Sequence, residues 1–299
     1  MARAAIDIGS NSLLLTVVDA HGIVLHDSAT VVGLGRGMGD DGAFTDDRMV
    51  HAAQVLRSYV ARASELGVAT SAIRAVATSA ARRAPNAQGF FDKLRADLGL
   101  GVAIISGPEE ARLTFLGAVS GLELPEHGRV LVVDLGGGST ELAIGEQGEF
   151  VRRASLELGV VRLTEKHLGY GAANDGDIRR GRDAVRAELS RAVLGEVPRL
   201  VVAVAGTATT LAAIDAGVER WTPGCVGGRR LKRSTLRTLA HRFATASPTE
   251  REVLAAVSPK RAPYLLAGAV VLAEVLDHVG ARRYLVSERG LRFGVLAEP

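Results

Sequence analysis

The sequence predicts an α/β protein of two domains, each with a mixed β-sheet flanked by helices. Its 299 residues are about twice the usual length of a single domain. Apolar strands alternate with helical stripes, and one motif, an apolar strand ending in an acid and a glycine turn, occurs in each half. We place the domains at residues 1–124 and 125–299, with the link in the segment LELPEHG at 122–128.

The motif of the second half, VVDLGGGSTEL at 132–142, has the composition of a phosphate-binding turn. Glycines permit positive φ angles and leave main-chain N–H groups open to a ligand, and two hydroxyls follow them. The candidate substrate-binding residues are Gly136, Gly137, Gly138, Ser139 and Thr140. Asp134 and Glu141 are carboxylates of the kind that hold Mg²⁺ against phosphate oxygens. Taken alone, the motif also fits a tight β-turn beside an acid.

The motif of the first half, AAIDIGSNS at 4–12, follows the same plan. Asp7 is a candidate metal ligand, and the candidate substrate-binding residues are Ser10, Asn11 and Ser12. An ordinary hairpin with serine and asparagine turn chemistry is the alternative. Two such turns facing one another can hold one phosphate chain from opposite sides.

Two further segments carry charged candidates. Arg82 follows a predicted strand at 73–78, and ligands of open α/β sheets lie at the carboxyl ends of strands. A guanidinium there can bind phosphate oxygens bidentately, although a surface arginine in a loop fits equally. Glu109 and Glu110 lie at the start of a predicted helix, where the helix dipole stabilises a carboxylate. An acid at that position in a phosphate cleft can also orient water for in-line attack.

A third segment, AGTATTLAAI, follows the predicted strand Leu200–Val204. Gly206 and Thr207 at a strand-to-helix turn can form an anion or nucleotide contact, and a threonine-capped helix is the alternative. The next segment, WTPGCVGGRRLKR, is predicted to be an irregular basic loop, in which Trp221 and Cys225 receive no role beyond packing.

The alternation of apolar and polar residues predicts the other strands and helices of the fold. Further strands are predicted at 13–18, 23–32, 102–105, 150–158 and 284–286. Helices are predicted at 46–66, 88–98, 234–245, 248–257 and 264–276, and one starts near Asp175 and carries Arg179, Arg180 and Arg182 on an exposed face. Thr45, Ser234 and Ser247 are the predicted N-caps.

Composition excludes several classes of function. Aromatic residues, at 4 %, are too few for base-stacking surfaces or a membrane girdle, so no nucleic-acid or membrane partner is predicted. No run of eighteen apolar residues and no leader is visible, so we expect a cytoplasmic protein. One cysteine excludes an internal disulfide, and seven scattered histidines show no zinc spacing. The net charge of +3 gathers in basic clusters, among them GGRRLKR at 227–233, which fit solvated faces or a polyanionic substrate.

Six motifs together resemble one family. In chain order they are DIGSNS, ATSAARRAPN, SGPEEARL, VVDLGGGSTEL, AGTATTLAA and SERGLRFGVL, and they are similar to motifs of the exopolyphosphatase and guanosine pentaphosphate phosphohydrolase family. The resemblance covers nearly the whole chain. It implies two ribonuclease-H-like domains of the actin-like ATPase superfamily, with the active site in the cleft between them. The chain resembles the two-domain short form of this family.

The resemblance also implies roles for single residues. Glu110 matches the catalytic glutamate, with Glu109 as its less suitable neighbour. Asp134 and Glu141 match acids of the second phosphate motif, Asp7 matches the acid of the first, and Arg82 matches a phosphate-binding arginine. The chain departs from the family in Phe293, where an acid is common, and in the loop LGRGM at 34–38, where an acid commonly follows the glycine.

The predicted function is therefore magnesium-dependent hydrolysis of a phosphoanhydride. The substrate would be inorganic polyphosphate, from which terminal orthophosphate is released, or guanosine pentaphosphate (pppGpp), which would become ppGpp. A small-molecule kinase and a non-catalytic nucleotide-binding scaffold are the alternatives. The preferred chain length and the oligomeric state stay open, although the apolar stretch at 264–276 leaves room for a homodimer contact.

Overall fold

The chain folds into two compact α/β units. The computed structural model describes residues 1–38, 42–192, 194–195, 197–254 and 258–298. Unit 1 consists of Met1–Gly117 and Leu291–Pro299, and unit 2 consists of Ala118–Gly290. The sequence analysis assigned every residue after 124 to the second domain, so the structure differs in joining the C-terminal segment to the first unit.

Unit 1 contains the first five strands. They are β1 (Arg3–Ile8), β2 (Ser12–Val18), β3 (Val24–Val31), β4 (Ile73–Ala77) and β5 (Val102–Ile104). The helices that begin in this unit are α1 (Asp46–Glu65), α2 (Ser79–Arg83), α3 (Ala87–Leu98) and α4 (Gly107–Val119). A 3₁₀ turn, Thr70–Ala72, leads into β4.

The sheet of unit 1 has the order β3-β2-β1-β4-β5. Strands β1, β2 and β3 pair antiparallel, whereas β4 pairs parallel with β1 and β5 parallel with β4. Ile6 of β1 and Leu15 of β2 are partners in register and fully buried, and they share one core with Leu56 of α1 and Phe91 of α3. The carboxyl ends of β1 and β4 therefore lie at one edge of this sheet.

Within the described ranges, unit 2 contains the remaining strands and six α-helices. The strands are β6 (Arg129–Leu135), β7 (Thr140–Glu146), β8 (Glu149–Leu156), β9 (Leu200–Val204), β10 (Arg230–Lys232) and β11 (Arg283–Val286). The helices are α5 (Val160–Leu163), α6 (Asp175–Arg191), α7 (Ala205–Asp215), α8 (Arg233–Thr245), α9 (Pro248–Leu254) and α10 (Leu265–His278). A π-helical turn, Thr164–Leu168, follows α5.

The sheet of unit 2 repeats the connectivity of unit 1. Its order is β10-β11-β9-β6-β7-β8, in which β6, β7 and β8 form the antiparallel part and β9 and β11 the parallel part. Leaving aside the extra edge strand β10, the two sheets have the same order of three antiparallel and two parallel strands. The predicted fold, two mixed sheets of ribonuclease-H-like type flanked by helices, is confirmed.

Helix α10 lies in the core of unit 2. Its residues from Leu265 to Leu276 are all buried, and they share a core with Val185 of α6 and Phe243 of α8. This burial removes the apolar stretch that the sequence analysis offered as a dimer contact. Within α10, the buried Glu274 accepts hydrogen bonds from Arg182 Nε and Arg186 Nε, both at 2.6 Å.

The last helix, α11 (Leu291–Ala297), completes the core of unit 1. Its apolar residues pack with Ala5 of β1 and Val76 of β4. Gly294 lies so close to α4 that a Cβ would be 1.9 Å from the Leu113 carbonyl oxygen. Arg292 is buried and forms an ion pair with Asp27 of β3. These contacts are the physical reason why the C-terminal segment belongs to the first unit.

Two local expectations were wrong. The predicted basic loop contains strand β10, and α8 begins one residue before its predicted N-cap Ser234. The alternative of a loop arginine does not hold, because Arg82 lies in helix α2. Ser247 is confirmed as an N-cap by its hydrogen bonds with Glu250, and Thr45 is confirmed at the N-cap position of α1, where its side chain makes no cap hydrogen bond. The predicted helix at 248–257 corresponds to α9, and its last three residues lie outside the described ones.

Across the described ranges, no helix is both long enough and apolar enough to span a bilayer.

Candidate active site

Each of the two glycine turns is closed by a backbone hydrogen bond at the equivalent position. Gly9 N–H donates to Ser12 O at 3.0 Å, and Gly136 N–H donates to Ser139 O at 3.1 Å. The predicted positive φ angles were wrong, because none of the glycines at 136–138 adopts one. Glycine is needed for space instead, since a Cβ at Gly136 would lie only 3.1 Å from Ser139 O, and one at Gly9 3.0 Å from Ser12 O.

The second glycine turn is held from behind by the start of α5. Val160 N–H donates to Gly136 O at 3.0 Å, and Val161 N–H donates to Gly137 O at 2.9 Å. Gly159 makes this approach possible, because a Cβ on it would lie 2.5 Å from both carbonyl oxygens. Gly137 and Gly138 remain exposed. The sequence analysis did not identify Gly159, which is distant from the turn in the chain.

Asp134 and Glu141 lie directly opposite each other on β6 and β7. Two like charges in register destabilise a strand pair unless a cation lies between them. Glu141 Oε1 accepts hydrogen bonds from Ser139 Oγ at 2.7 Å and from Ser155 Oγ at 3.2 Å. One or two carboxylates together with substrate phosphates are the usual ligands of Mg²⁺, so this pair fits that ion. No cluster of three or more histidine, cysteine or acidic side chains suited to a metal occurs within the described ranges.

Thr140 does not offer its hydroxyl to a ligand. Its side chain is fully buried, and Oγ1 donates to Leu158 O at 2.7 Å. Thr140 is the first residue of β7, and the alternation of the strand directs it into the core. This differs from its predicted role as a substrate-binding hydroxyl, and of the two hydroxyls only that of Ser139 lies at the turn surface.

Helix α7 begins directly after β9 at an unusual backbone angle. Ala205 has φ of +67°, a left-handed conformation that alanine adopts at a cost. Thr207 is buried with its methyl group against Gly268, where a Cβ would lie 2.2 Å from Thr207 Cγ2. Thr210 Oγ1 donates back to Gly206 O at 2.6 Å, so the threonines are not caps. The N–H groups at the start of α7 are the part suited to an anion.

Arg261 is a cation at this helix start that the sequence analysis missed. A Cβ on Gly206 would lie 1.9 Å from Arg261 Cζ, so the guanidinium packs directly on the glycine. In the described part of the chain Arg261 forms no ion pair. Its chain distance from Gly206 explains why no local pattern could show the contact.

In unit 1, Asp7 near the end of β1 is a half-buried residue with one isolated oxygen. Oδ1 is closed off from solvent and has no hydrogen-bond partner among the described residues. Burial raises the pKa of the Asp7 carboxyl to about 7; the charge of Arg292 lowers it, and that of Glu110 raises it. A buried carboxylate oxygen without a donor is unfavourable alone and fits a cation such as Mg²⁺.

Glu110 and Arg82 form an ion pair in unit 1. Arg82 Nη1 donates to Glu110 Oε2 at 2.8 Å and to Ile105 O at 2.9 Å. The neighbouring Glu109 is held by Arg112 of the same helix through two hydrogen bonds of 2.8 and 2.9 Å, which lower the pKa of Glu109. Of the two glutamates, only Glu110 therefore lies with the predicted site residues Asp7 and Arg82.

The first glycine turn is joined to the loop that follows β3. Asn11 O accepts hydrogen bonds from Val32 N–H and Gly33 N–H, and Ser10 O accepts one from Gly35 N–H. Arg36 Nη2 donates to Asn11 Oδ1 at 2.7 Å. The departure LGRGM noted in the sequence thus brings a positive charge to the first turn.

The predicted site residues fall into two sets, one in each unit. Unit 1 brings together Asp7, Arg82 and Glu110 beside the turn with Ser10, Asn11 and Ser12. Unit 2 brings together Asp134, Glu141 and the glycine turn, with Gly206 at the same edge of its sheet because β6 and β9 are parallel. Thr140 and Thr207 have their side chains in the core of unit 2.

Comparison with known proteins finds similarity over nearly the whole chain. Residues 15–299 match the family model described as the Ppx/GppA phosphatase family. Exopolyphosphatase 2 of Mycobacterium tuberculosis is 34 % identical, over 98 % of this chain and 96 % of that protein. Exopolyphosphatase 1 of Mycobacterium leprae is 31 % identical, over 99 % of this chain and 88 % of that protein.

Solved structures show the same similarity. The crystal structure of the Aquifex aeolicus member of the Ppx/GppA family is 32 % identical, with a TM-score of 0.88 over 99 % of this chain and 96 % of that one. An exopolyphosphatase from Cytophaga hutchinsonii is 26 % identical, with a TM-score of 0.85 over 99 % of this chain and 96 % of that one.

Proposed function

The chain belongs to the Ppx/GppA phosphatase family, and we propose that it is a phosphoanhydride hydrolase that releases terminal orthophosphate from inorganic polyphosphate. Its relatives named exopolyphosphatase, similar over nearly their whole length, support this substrate. The same chemistry would convert pppGpp to ppGpp, because both substrates end in a phosphoryl group on a phosphoanhydride bond. We further propose that it acts in the cytoplasm.

The pairing of Glu110 with Arg82 is the observation that carries the proposal. Arg82 holds the Glu110 carboxylate in place while the guanidinium keeps further N–H donors for phosphate oxygens. An ionised carboxylate in the first turn of α4 can then accept a proton from, or orient, the water that attacks the terminal phosphorus. Glu109 cannot share this role while both of its oxygens are bonded to Arg112.

Each unit has candidate ligands of Mg²⁺, the proposed cofactor: Asp134 and Glu141 in unit 2, and Asp7 in unit 1. When bound, the ion polarises phosphoryl oxygens and neutralises the charge that develops on the leaving group. A cation would stabilise both the unpartnered Asp7 oxygen and the opposed carboxylates of Asp134 and Glu141. Ser139 and Ser155 orient Glu141 through their hydroxyls.

Each unit has its own candidate donors for phosphate oxygens. In unit 2, they are the exposed Gly137 and Gly138 of the glycine turn, the start of α7 at Gly206, and Arg261. In unit 1, they are Ser10, Ser12 and the guanidinium of Arg36, which Asn11 anchors. Such preorganised donors stabilise developing charge better than water does.

A phosphate-release assay tests the proposal. Tripolyphosphate, long polyphosphate, pppGpp and ATP are compared with and without Mg²⁺, in the absence of any phosphoryl acceptor. We expect steady release from polyphosphate that stops when EDTA removes the metal. No release from any of the four substrates would contradict hydrolysis.

The same assay separates the two alternatives. A small-molecule kinase would transfer the phosphoryl group only after an acceptor is added. A nucleotide-binding scaffold would bind ATP tightly without turnover.

A further inference from the structure

The free edge of the unit 2 sheet carries an uncompensated positive charge. Strand β10 is the last strand at that edge and pairs antiparallel with β11. Five exposed cations lie on or next to these two strands: Arg229, Arg230, Lys232, Arg282 and Arg283. None of the five forms an ion pair with any residue that the structure describes.

The pairing register brings two of these positive charges together. Lys232 lies directly opposite Arg283, and like charges in that arrangement destabilise a strand pair. Nearby acids do not relieve it, since Asp277 pairs with Arg233 and Arg237. Glu288 accepts hydrogen bonds from the backbone N–H groups of the loop at 224–227. The carboxylates of Asp277 and Glu288 therefore do not neutralise the five cations.

Three of the cations share one face of these strands. Arg230 and Lys232 flank Leu231, and Arg283 lies opposite Lys232, so all three point away from the buried side chains of Leu231 and Tyr284. Strand β11 is parallel to β9, so its carboxyl end lies at the same end of the sheet as Gly206. Arg229 is at that end, because Val286 N–H donates to Arg229 O, and Lys232 and Arg283 lie about 10 Å from it along the strands, at roughly 3.3 Å per residue.

We propose that this edge is a second binding surface for the polyphosphate chain, and that it holds phosphates beyond those in the active site. The inference rests on the proposed function and extends it to chain length. A linear polyanion with a charge on every phosphate neutralises a row of cations, whereas a short substrate does not reach them. Single-stranded RNA is the less suitable partner, because base stacking needs several exposed aromatic rings: Tyr284 of these strands is buried, and the segment before β10 offers one exposed ring, that of Trp221.

Basic residues on an edge strand also prevent pairing with other chains, which is the competing explanation. The two explanations differ in what removal of the charge does to substrates of different length. The test is the variant R230Q/K232Q/R283Q, assayed with tripolyphosphate and with long polyphosphate. Its matched control is R57Q/K93Q/R95Q, which removes three exposed cations from α1 and α3 of unit 1, none of them in an ion pair with a described residue.

We expect KM for long polyphosphate to rise about tenfold in the edge variant, with kcat unchanged and tripolyphosphate kinetics unchanged. Each lost phosphate contact should also lower the slope of log KM against log salt concentration by about 0.7, or about 2 for three contacts. The control should match the wild type with both substrates. Gel filtration checks that the edge variant stays monodisperse, and R229Q/R282Q replaces it if it aggregates.

An unchanged KM for long polyphosphate, or an equal rise with tripolyphosphate, would overturn the proposal. Binding of end-labelled long polyphosphate, followed by fluorescence anisotropy, tests the surface independently of turnover. If the wild type releases no phosphate, the proposed function fails, while weaker binding by the edge variant alone still supports the surface. Tighter binding of single-stranded RNA than of polyphosphate at equal salt would assign the edge to nucleic acid and refute the proposal.

Discussion

Gly159 supports the second glycine turn from behind, and its replacement by alanine tests how much that support matters. Its φ of −117° and ψ of −178° are allowed for alanine, so the backbone itself is not strained by the change. The added Cβ would instead lie 2.5 Å from Gly136 O and from the carbonyl carbon and oxygen of Gly137. The effect of Gly159→Ala is therefore steric.

The size of the effect follows from these distances. Ordinary contacts of a Cβ begin near 3.4 Å, so the turn must move by roughly 0.9 Å. Overpacking costs about 1–3 kcal/mol and each of the two weakened backbone hydrogen bonds about 1 kcal/mol, so we expect a loss of roughly 3–5 kcal/mol of unfolding free energy. A misplacement of about 1 Å at a reacting centre can lower the rate about 10²-fold.

Thermal unfolding and phosphate release from polyphosphate measure the two effects. Gly89→Ala is the control, because a Cβ there meets nothing within 4 Å in the first turn of helix α3, so alanine should stabilise the protein by at most about 0.5–1 kcal/mol. Gly138→Ala also has free space, so it should retain its stability while KM rises, because the Cβ would shield the exposed side of the turn. A Gly159→Ala protein with wild-type unfolding temperature and turnover would refute the reasoning.

Three further predictions concern single residues. Glu110→Gln should lower turnover by on the order of 10²–10⁴ with KM little changed, whereas Glu109→Gln should stay within a few-fold of the wild type; equal losses in both would remove Glu110 from its role. Without metal, Asp7 has a pKa raised from 3.8 to about 7, so its contribution is fully present below pH 4 and is lost as the pH rises through 7. Asp7→Asn should therefore stabilise the EDTA-treated protein at pH 8, by at most about 4 kcal/mol, and abolish stabilisation by Mg²⁺; destabilisation in urea titrations would contradict this. Ala205→Gly should leave the unfolding temperature unchanged or higher, because it relieves about 1–2 kcal/mol of left-handed strain that offsets the added chain entropy, whereas Ala205→Val should lower it.

Sequence patterns predicted most of the frame of the molecule. Strands such as β6 and helices such as α1 and α10 are strongly periodic or strongly apolar, and these signals are local. The duplicated acid and glycine motif also predicted the repeat that both sheets share. Some short elements were not predicted. An example is β10, which has three residues and pairs with β11 about fifty positions further along the chain.

The sequence could predict only those candidate site residues that lie close to a recognisable motif in the chain. Asp134 and Glu141 could be identified because both flank the turn, and their direct opposition follows from the hairpin. Arg261 and Gly159 could not, since each meets its glycine through tertiary packing. The role predicted for the Thr140 hydroxyl was wrong, because the position of Thr140 in the alternation of β7, rather than its residue type, decides that it is buried.

The C-terminal helix shows the same limit for the domain division. Its sequence is compatible with either unit, and only the packing of Gly294 on Leu113 and the burial of Arg292 beside Asp27 decide the matter. Contacts between positions so far apart leave no local pattern.

The most direct test of the central claim is the fate of the oxygen atom supplied by water. Hydrolysis of polyphosphate in ¹⁸O-labelled water, with Mg²⁺ and without any acceptor, should place one ¹⁸O in each orthophosphate released, as mass spectrometry would show. Glu110→Gln should slow this incorporation without changing its stoichiometry. Orthophosphate without label, or label-free transfer to an added acceptor in place of release, would contradict attack by water on the terminal phosphorus.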